Sequence, residues 1–292
     1  FASDADGTYD ISSSTPATVP GMPGGEWYDT QFATSGGVFT VAVNGEDDLR
    51  LFDGSQFLPI GAGGIKTLAY DGGTSAFAIG ETVTGGTSGA TGAVALVQAS
   101  SGTAGTLYLA SVTGTFQDNE ALTSAGGAAV VNGVAATLFN GITGIDTASL
   151  NYVWGYKNRL FFVEKNSMRA WFLPIDSIGG ELKPIELGGD FSLGGTLLFG
   201  ATWSRATSGS GGLSDQIIFV SSEGQIAVYQ GNDPESAADW ARVGIYRVGK
   251  PLGPRAWMQA GGDIIIATTV GMISVSLALQ TDYAALTPSS VS

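Results

Sequence analysis

The chain has 292 residues, and its 45 Gly and 43% hydrophobic content describe a globular, turn-rich protein with one large core or two smaller ones. Twelve Lys and Arg against 26 Asp and Glu give 12 − 26 = −14, a balance that argues against a surface built to grip nucleic-acid phosphates. Cys and His are absent, which excludes a thiol nucleophile, a disulfide framework, a Cys/His zinc site and a Ser-His-Asp triad.

The first residues, Phe1-Ala2-Ser3-Asp4, carry neither an initiator Met nor the basic and apolar regions of a signal peptide. The expectation is a chain that begins inside a larger polypeptide. From there one pattern recurs: a short β-branched or aromatic run, a turn holding Gly or Asn, and a second such run. A weak copy joins residues 1–2 to 9–11 through Asp6-Gly7, and a strong one joins 39–43 to 49–52 through Asn44-Gly45. Residues 159–163 return as 168–173, residues 217–220 return through Glu223-Gly224 as 225–229, and residues 264–267 return near Gly271 as 272–276. Asn-Gly and its relatives accept the positive φ that tight hairpin turns require, so the repeating unit is predicted to be a β-hairpin.

These strands are apolar at nearly every position, which suits strands packed on both faces. The later units start 217 − 159 = 58 and 264 − 217 = 47 residues apart, near or above the roughly 40–50 residues of a propeller blade. Radial blades would bury both faces of each strand pair and leave only short edges. The predicted fold is therefore all-β: a β-propeller, incomplete or part of a larger chain, with an inserted small β-domain.

The insertion is read from the gap between residues 39 and 159. No Lys or Arg occurs from Thr67 through Tyr156, and a duplication lies inside. Gly80-Glu81-Thr-Val-Thr-Gly85, followed by residues 89–94, resembles Asn119-Glu120-Ala-Leu-Thr-Ser124, followed by residues 126–130. A strand is predicted between them at 106–113. Residues 77–138 are thus predicted as an inserted Gly/Thr/Ala-rich β-module, between propeller parts at 1–76 and 139–292; an unstructured loop is the plainer alternative. Residues 235–240 are the best place for one short helical turn. Residues 264–279 are too few for a membrane helix of about 20 apolar residues and read as buried sheet, so no membrane-spanning segment is expected.

Candidate chemistry is sparse. Gly244-Ile-Tyr-Arg-Val-Gly249-Lys250 has the spacing of a phosphate-binding loop, but Pro251 stands where a Ser or Thr must hold magnesium and no helix is predicted to follow. Asp4, Asp6 and Asp10 resemble the start of a calcium loop but lack its later ligands, so a hairpin turn is the simpler reading. Glu46-Asp47-Asp48 likewise reads as a solvated hairpin tip. Glu164, Asp176 and Glu223 are spare carboxylates of the kind that drive glycoside hydrolysis, yet the Ser-x-Asp-x-Gly-x-x-Trp boxes of propeller hydrolases are absent.

Arg242, Arg247, Lys250 and Arg255 form the single basic concentration. They read either as a subunit interface facing an acidic neighbour or as scattered cations that offset local acidity. The six Trp are spread over the repeats and read as core anchors. No catalytic, cofactor-binding or metal-ligating residue is assigned, and neither enzyme activity nor a cofactor is expected.

Several segments resemble a family. Asn158-Arg-Leu-Phe-Phe-Val-Glu-Lys-Asn-Ser-Met-Arg-Ala-Trp-Phe-Leu-Pro174, Ile178-Gly-Gly180, Gly200-Ala-Thr-Trp-Ser204, Val228-Tyr-Gln-Gly-Asn-Asp-Pro234 and Ala260-Gly-Gly-Asp263 are similar to segments of tail proteins from short-tailed bacteriophages and related prophages. Residues 1–11 and 27–51 fit the same pattern, so the resemblance covers most of the chain outside 77–138. Among such proteins the tail nozzle, a propeller-bearing ring below the tail adaptor, is the nearest functional type.

The resemblance implies a structural component of the virion that forms a symmetric ring with itself and meets tail adaptor and tail-fibre proteins. Double-stranded DNA would pass through its channel without sequence-specific binding. Full-length nozzles are longer, consistent with a missing start and with no closing strand at Thr287–Ser292. The alternatives are a host-surface adhesin, with a glycan held by blade loops or the inserted module, a tail-fibre-associated propeller, and a propeller hydrolase.

Overall fold

The computed structural model describes residues 1–206 and 213–280. With 51% strand and 3% helix, nearly all of it antiparallel sheet, the chain is all-β. Residues 287–292, where the sequence shows no closing strand, lie outside the described residues. Two compact units divide the chain: Phe1–Ser149 with Ser177–Leu182, and Leu150–Asp176 with Lys183–Ser292.

The first unit opens with a three-stranded antiparallel sheet of β1 (Ala2–Ser3), β2 (Thr8–Asp10) and β3 (Ala17–Thr18). A four-stranded meander follows in chain order: β4 (Tyr28–Thr34), β5 (Gly37–Val43), β6 (Arg50–Phe52) and β7 (Phe57–Pro59). The β5–β6 connection forms as the Asn-Gly signal requires. Gly45 sits at φ +72°, and Asn44 Oδ1 accepts the Glu46 and Asp47 backbone N–H groups at 3.0 and 2.8 Å.

A closed six-strand barrel comes next. Its strands are β8 (Ile65–Ser75), β9 (Thr82–Gly85), β10 (Thr91–Ala99), β11 (Gly105–Thr113), β12 (Ala121–Thr123) and β13 (Ala128–Val131), and β14 (Ala136–Phe139) adds to the outside of β8. Around the barrel the order is β8-β11-β10-β9-β12-β13 and back to β8, all antiparallel. Exchanging β8–β9–β10 for β11–β12–β13 leaves that order unchanged, so the duplication seen in the sequence is a two-fold repeat of strand pairing. Alternate residues fill the interior, among them Leu68, Val83, Leu107, Leu109, Phe116 and Leu122, each at most 1% exposed. Five of the six strands fall within 77–138; the first, β8, precedes that range.

After β15 (Ile142–Thr143) and a 3₁₀ turn at Thr147–Ser149, the second unit begins with β16 (Leu150–Tyr156), β17 (Arg159–Glu164) and β18 (Arg169–Phe172). Strand β19 (Gly180–Glu181) pairs in parallel with β15 in the first unit. Strand β20 (Lys183–Glu186) then completes the meander β16-β17-β18-β20. A second meander comprises β21 (Leu197–Ala206), β22 (Leu213–Ser221), β23 (Gln225–Gln230) and β24 (Ala241–Arg247). A three-stranded sheet, β25 (Trp257–Ala260), β26 (Asp263–Thr268) and β27 (Gly271–Ser274), closes the described part with a one-turn helix, α1 (Val275–Ala278).

Aromatic side chains join the sheets of the second unit. Trp154 of β16 meets Phe219 of β22 edge-on at 5.9 Å, and Phe199 of β21 stacks on Trp257 of β25 at 5.8 Å. The Trp257 indole N–H donates to the Tyr152 hydroxyl at 2.9 Å. Trp27, Trp154, Trp171 and Trp203 are buried, and Trp240 stacks on Tyr229 and Phe161. The tryptophans therefore do the work of core anchors.

Two local expectations change. Residues 235–240 form successive turns, not a helix, because Asp239 accepts the Asn232 and Asp233 N–H groups and holds the segment as a closed loop. Residues 264–279 are not sheet throughout. Ser274 caps a helical turn by accepting the Leu277 N–H at 3.2 Å, and that turn buries Val275 and Ala278.

Candidate contact surface

The four cations singled out in the sequence map to β24 and the loop after it. Arg242 lies near the start of β24 and Arg247 at its end, with Lys250 and Arg255 in the connection to β25. All four are exposed. Among the described residues strand β24 pairs only with β23 and is the outer strand of its sheet, an edge of the kind that accepts a partner strand.

Arg242 and Lys250 have counter-charges on the chain itself. Arg242 pairs with Asp190, which also accepts the Tyr229 hydroxyl. Burial raises the Tyr229 pKa, and the Asp190 carboxylate raises it further. Lys250 pairs with Glu223 in the β22–β23 turn. The same stretch exposes apolar side chains: Val243 on β24 is 42% exposed, Leu252 68% and Met258 52%. Basic, apolar and open-edge features thus share one run of chain, a composition suited to a protein contact.

The phosphate-loop spacing does not form a phosphate site. Gly244 through Arg247 is strand, Val248 N–H donates to Gly224 O at 2.9 Å, and Pro251 bridges to Thr268. Gly249 is packed so closely on the β22–β23 turn that a Cβ on Gly224 would collide with its carbonyl. The cradle a nucleotide would need is filled by the protein's own backbone.

The acidic clusters resolve as turns. Asp4 Oδ1 accepts the Asp6 and Gly7 N–H groups at 2.9 and 3.0 Å, and Asp48 accepts the Thr147 hydroxyl at 3.1 Å. Glu164 accepts the Trp171 indole N–H at 3.0 Å. Among the described residues no group of three or more acidic side chains could hold a metal ion, and no helix is long and apolar enough to cross a membrane. Hydrogen bonds from nearby backbone and side-chain donors hold Asp10, Glu81, Glu120 and Asp263 below their usual pKa. No family profile matches the chain, and no curated protein aligns with it.

The sequence did not signal the exposed edge. Its strand, β24, carries no apolar run, and pairing with β23 decides its conformation.

Proposed function

We propose that the chain is a structural component of a short-tailed bacteriophage tail, of the nozzle type, whose copies form a ring around the channel through which DNA leaves the particle. The observation that carries this reading is the succession of antiparallel meanders β4–β7, β16–β20 and β21–β24, flanked by the shorter sheets β1–β3 and β25–β27. Each full meander has the strand count and order of a propeller blade. The segments that resemble phage tail proteins lie largely on these sheets. In this reading the sheets are blades and the barrel is a module carried on them.

The acidity has a role in such a ring. A channel wall of the same sign as DNA phosphate avoids adhesion and lets the duplex slide. Ring contacts would run through the β24 edge, where Arg242, Arg247, Lys250 and Arg255 meet an acidic neighbour, under closed rotational symmetry. Adaptor and fibre proteins would be its other neighbours in the virion.

Cryo-electron microscopy of the intact particle tests the proposal. Density for the meanders and the six-strand barrel is expected as a ring around the axial channel of the lower tail. Density on peripheral appendages, or a basic channel lining, would overturn it.

A further inference from the structure

The chain contains three Asn-Gly steps, at 44–45, 132–133 and 140–141. In such a step the Asn side-chain carbon can reach the next backbone nitrogen, and a Gly there has no Cβ to shield it. The side chain can then close into a ring with the main chain, one reason that Asn is thermolabile. Closure needs the side chain to swing and the peptide plane to turn, so local geometry decides which step reacts.

Two of the three are held. Asn44 Oδ1 accepts the Glu46 and Asp47 N–H groups, and its Nδ2 donates to Asp47 Oδ2 at 2.8 Å. The Asn140–Gly141 peptide is wedged between two backbone segments of the first unit. A Cβ on Gly141 would lie 1.9 Å from the Ala62 carbonyl oxygen, and one on Gly179 would lie 2.8 Å from that of Asn140. Gly141 O also accepts the Gly180 N–H at 2.9 Å.

Asn132 differs. It is exposed on the connection from β13 to β14, and its side chain makes no hydrogen bond among the described residues. Gly133 has φ +91° and open space where a Cβ would stand. The reacting nitrogen has one partner: the Gly133 N–H donates to Asp118 Oδ1 at 2.7 Å. A carboxylate in that place opposes loss of the proton, because its charge repels the amide anion that would form.

We infer that Asn132 is a self-modification site whose rate is set by Asp118. A bond forms between the Gly133 nitrogen and the Asn132 side-chain carbon, the bond to Nδ2 breaks, and ammonia leaves with the proton taken from Gly133. Water then opens the cyclic imide at either carbonyl and leaves Asp or isoaspartate at position 132. Isoaspartate adds one carbon to the main chain just after Val131, which is 0% exposed in the barrel core, and both products bring a carboxylate toward Asp118. The Asn132 N–H donates to Ala69 O on β8 at 3.0 Å, so the change falls where the chain passes along β8 into β14. Strand β14, which adds to the outside of β8, is expected to loosen while the closed barrel persists.

The full chain is aged in mildly alkaline buffer, and mass spectrometry that separates Asp from isoaspartate follows all three steps. Asn132 is expected to convert at least about tenfold faster than Asn44, whose side-chain bonds must break first, and faster than Asn140. Asp118→Ala should raise the rate at Asn132 about tenfold and leave the other two unchanged. Hydrogen exchange over 136–139 should quicken in aged parent and stay constant in aged Asn132→Gln, which changes an exposed side chain. Faster conversion at Asn44 or Asn140, or an unchanged rate at Asn132 in Asp118→Ala, would overturn the proposal.

Discussion

Glu81 and Glu120 each close the other's turn. Glu120, just before β12, accepts the Thr87 and Ser88 N–H groups at 3.0 and 2.8 Å and the Ser88 hydroxyl at 2.8 Å, in the turn that follows Glu81's strand β9. Glu81 accepts the Ser124 hydroxyl at 2.6 Å, in the turn that follows β12. Each also accepts an N–H three residues upstream, from Ala78 and Gln117. A glycine stands beside each carboxylate, Gly85 against Glu120 and Gly126 against Glu81, where a Cβ would press on the oxygens. The duplicated Gly/Asn-Glu motif is thus a reciprocal latch that ties the two halves of the barrel.

The latch makes the barrel acid-sensitive. Burial of Glu120, which is 4% exposed, raises its pKa, but the donors from Gln117, Ser88 and Thr87 outweigh this and hold it at about 2, against a reference of 4.5. A depressed folded-state pKa gives stability that is complete above pH 4.5 and lost as pH falls toward 2. Hydrogen exchange over residues 82–131 should accelerate across that window. Glu120→Gln should lose about 1–3 kcal/mol at neutral pH and flatten the acid dependence. An unchanged acid profile in that variant would remove Glu120 from the latch.

The second unit should respond to alkali instead. Burial raises the Tyr156 pKa to about 12, with the Asp215 charge adding to it, and its hydroxyl lies 2.9 Å from Gly231 O and 3.1 Å from Asp215 O. A raised folded-state pKa gives stability present below pH 10 and lost as pH climbs through about 12. Tyr156→Phe is expected to cost about 1 kcal/mol at neutral pH and to reduce the loss of stability between pH 10 and 12. Denaturant titrations of both proteins at pH 7 and 11, followed by Trp fluorescence, check this.

Close packing between sheets depends on one residue without a side chain. Gly200 on β21 faces the Trp154 indole, and a Cβ there would overlap the ring. Trp154 is itself 6% exposed and packed against Phe161 and Phe219, so it has little room to withdraw. Gly200→Ala should destabilise by about 1–3 kcal/mol. Gly189→Ala, with open space around it, should stay within about 0.5 kcal/mol. Equal thermal midpoints for the two would refute the contact.

What the sequence revealed was the inner pair of strands in each meander. Strands β17, β22 and β23 each bury at least four consecutive positions, and an uninterrupted apolar run is visible without a partner. Their outer neighbours were not legible. Strand β4 reads Tyr-Asp-Thr-Gln-Phe-Ala-Thr and β24 Ala-Arg-Val-Gly-Ile-Tyr-Arg, each with polar residues and no run to mark it. Such strands form because a buried neighbour offers backbone hydrogen bonds, a tertiary effect that local propensity does not record. The barrel's repeat was legible for the same reason as the inner strands, since Glu, Gly and Ser at fixed spacing are a local requirement of the latch.

The barrel should be removable if its ends are cut where the structure joins them. Strands β8 and β14 pair at Ile65 and Phe139, and the flanking chain crosses so closely that a Cβ on Gly64 would strike the Phe139 carbonyl and one on Gly141 the Ala62 carbonyl. Entry and exit thus form one stem, which a short Gly-Ser linker can bridge. Cutting at 77–138 instead would leave β8 without β11 and β13, its barrel partners. All six Trp lie outside 65–139, so Trp emission reports only on the remaining sheets. Replacing residues 65–139 should keep the emission of buried indoles and a cooperative unfolding transition, with a modest loss from the Phe39–Phe139 ring contact. A shift to solvent-exposed emission would mean that the barrel holds those sheets together and is not an appended module.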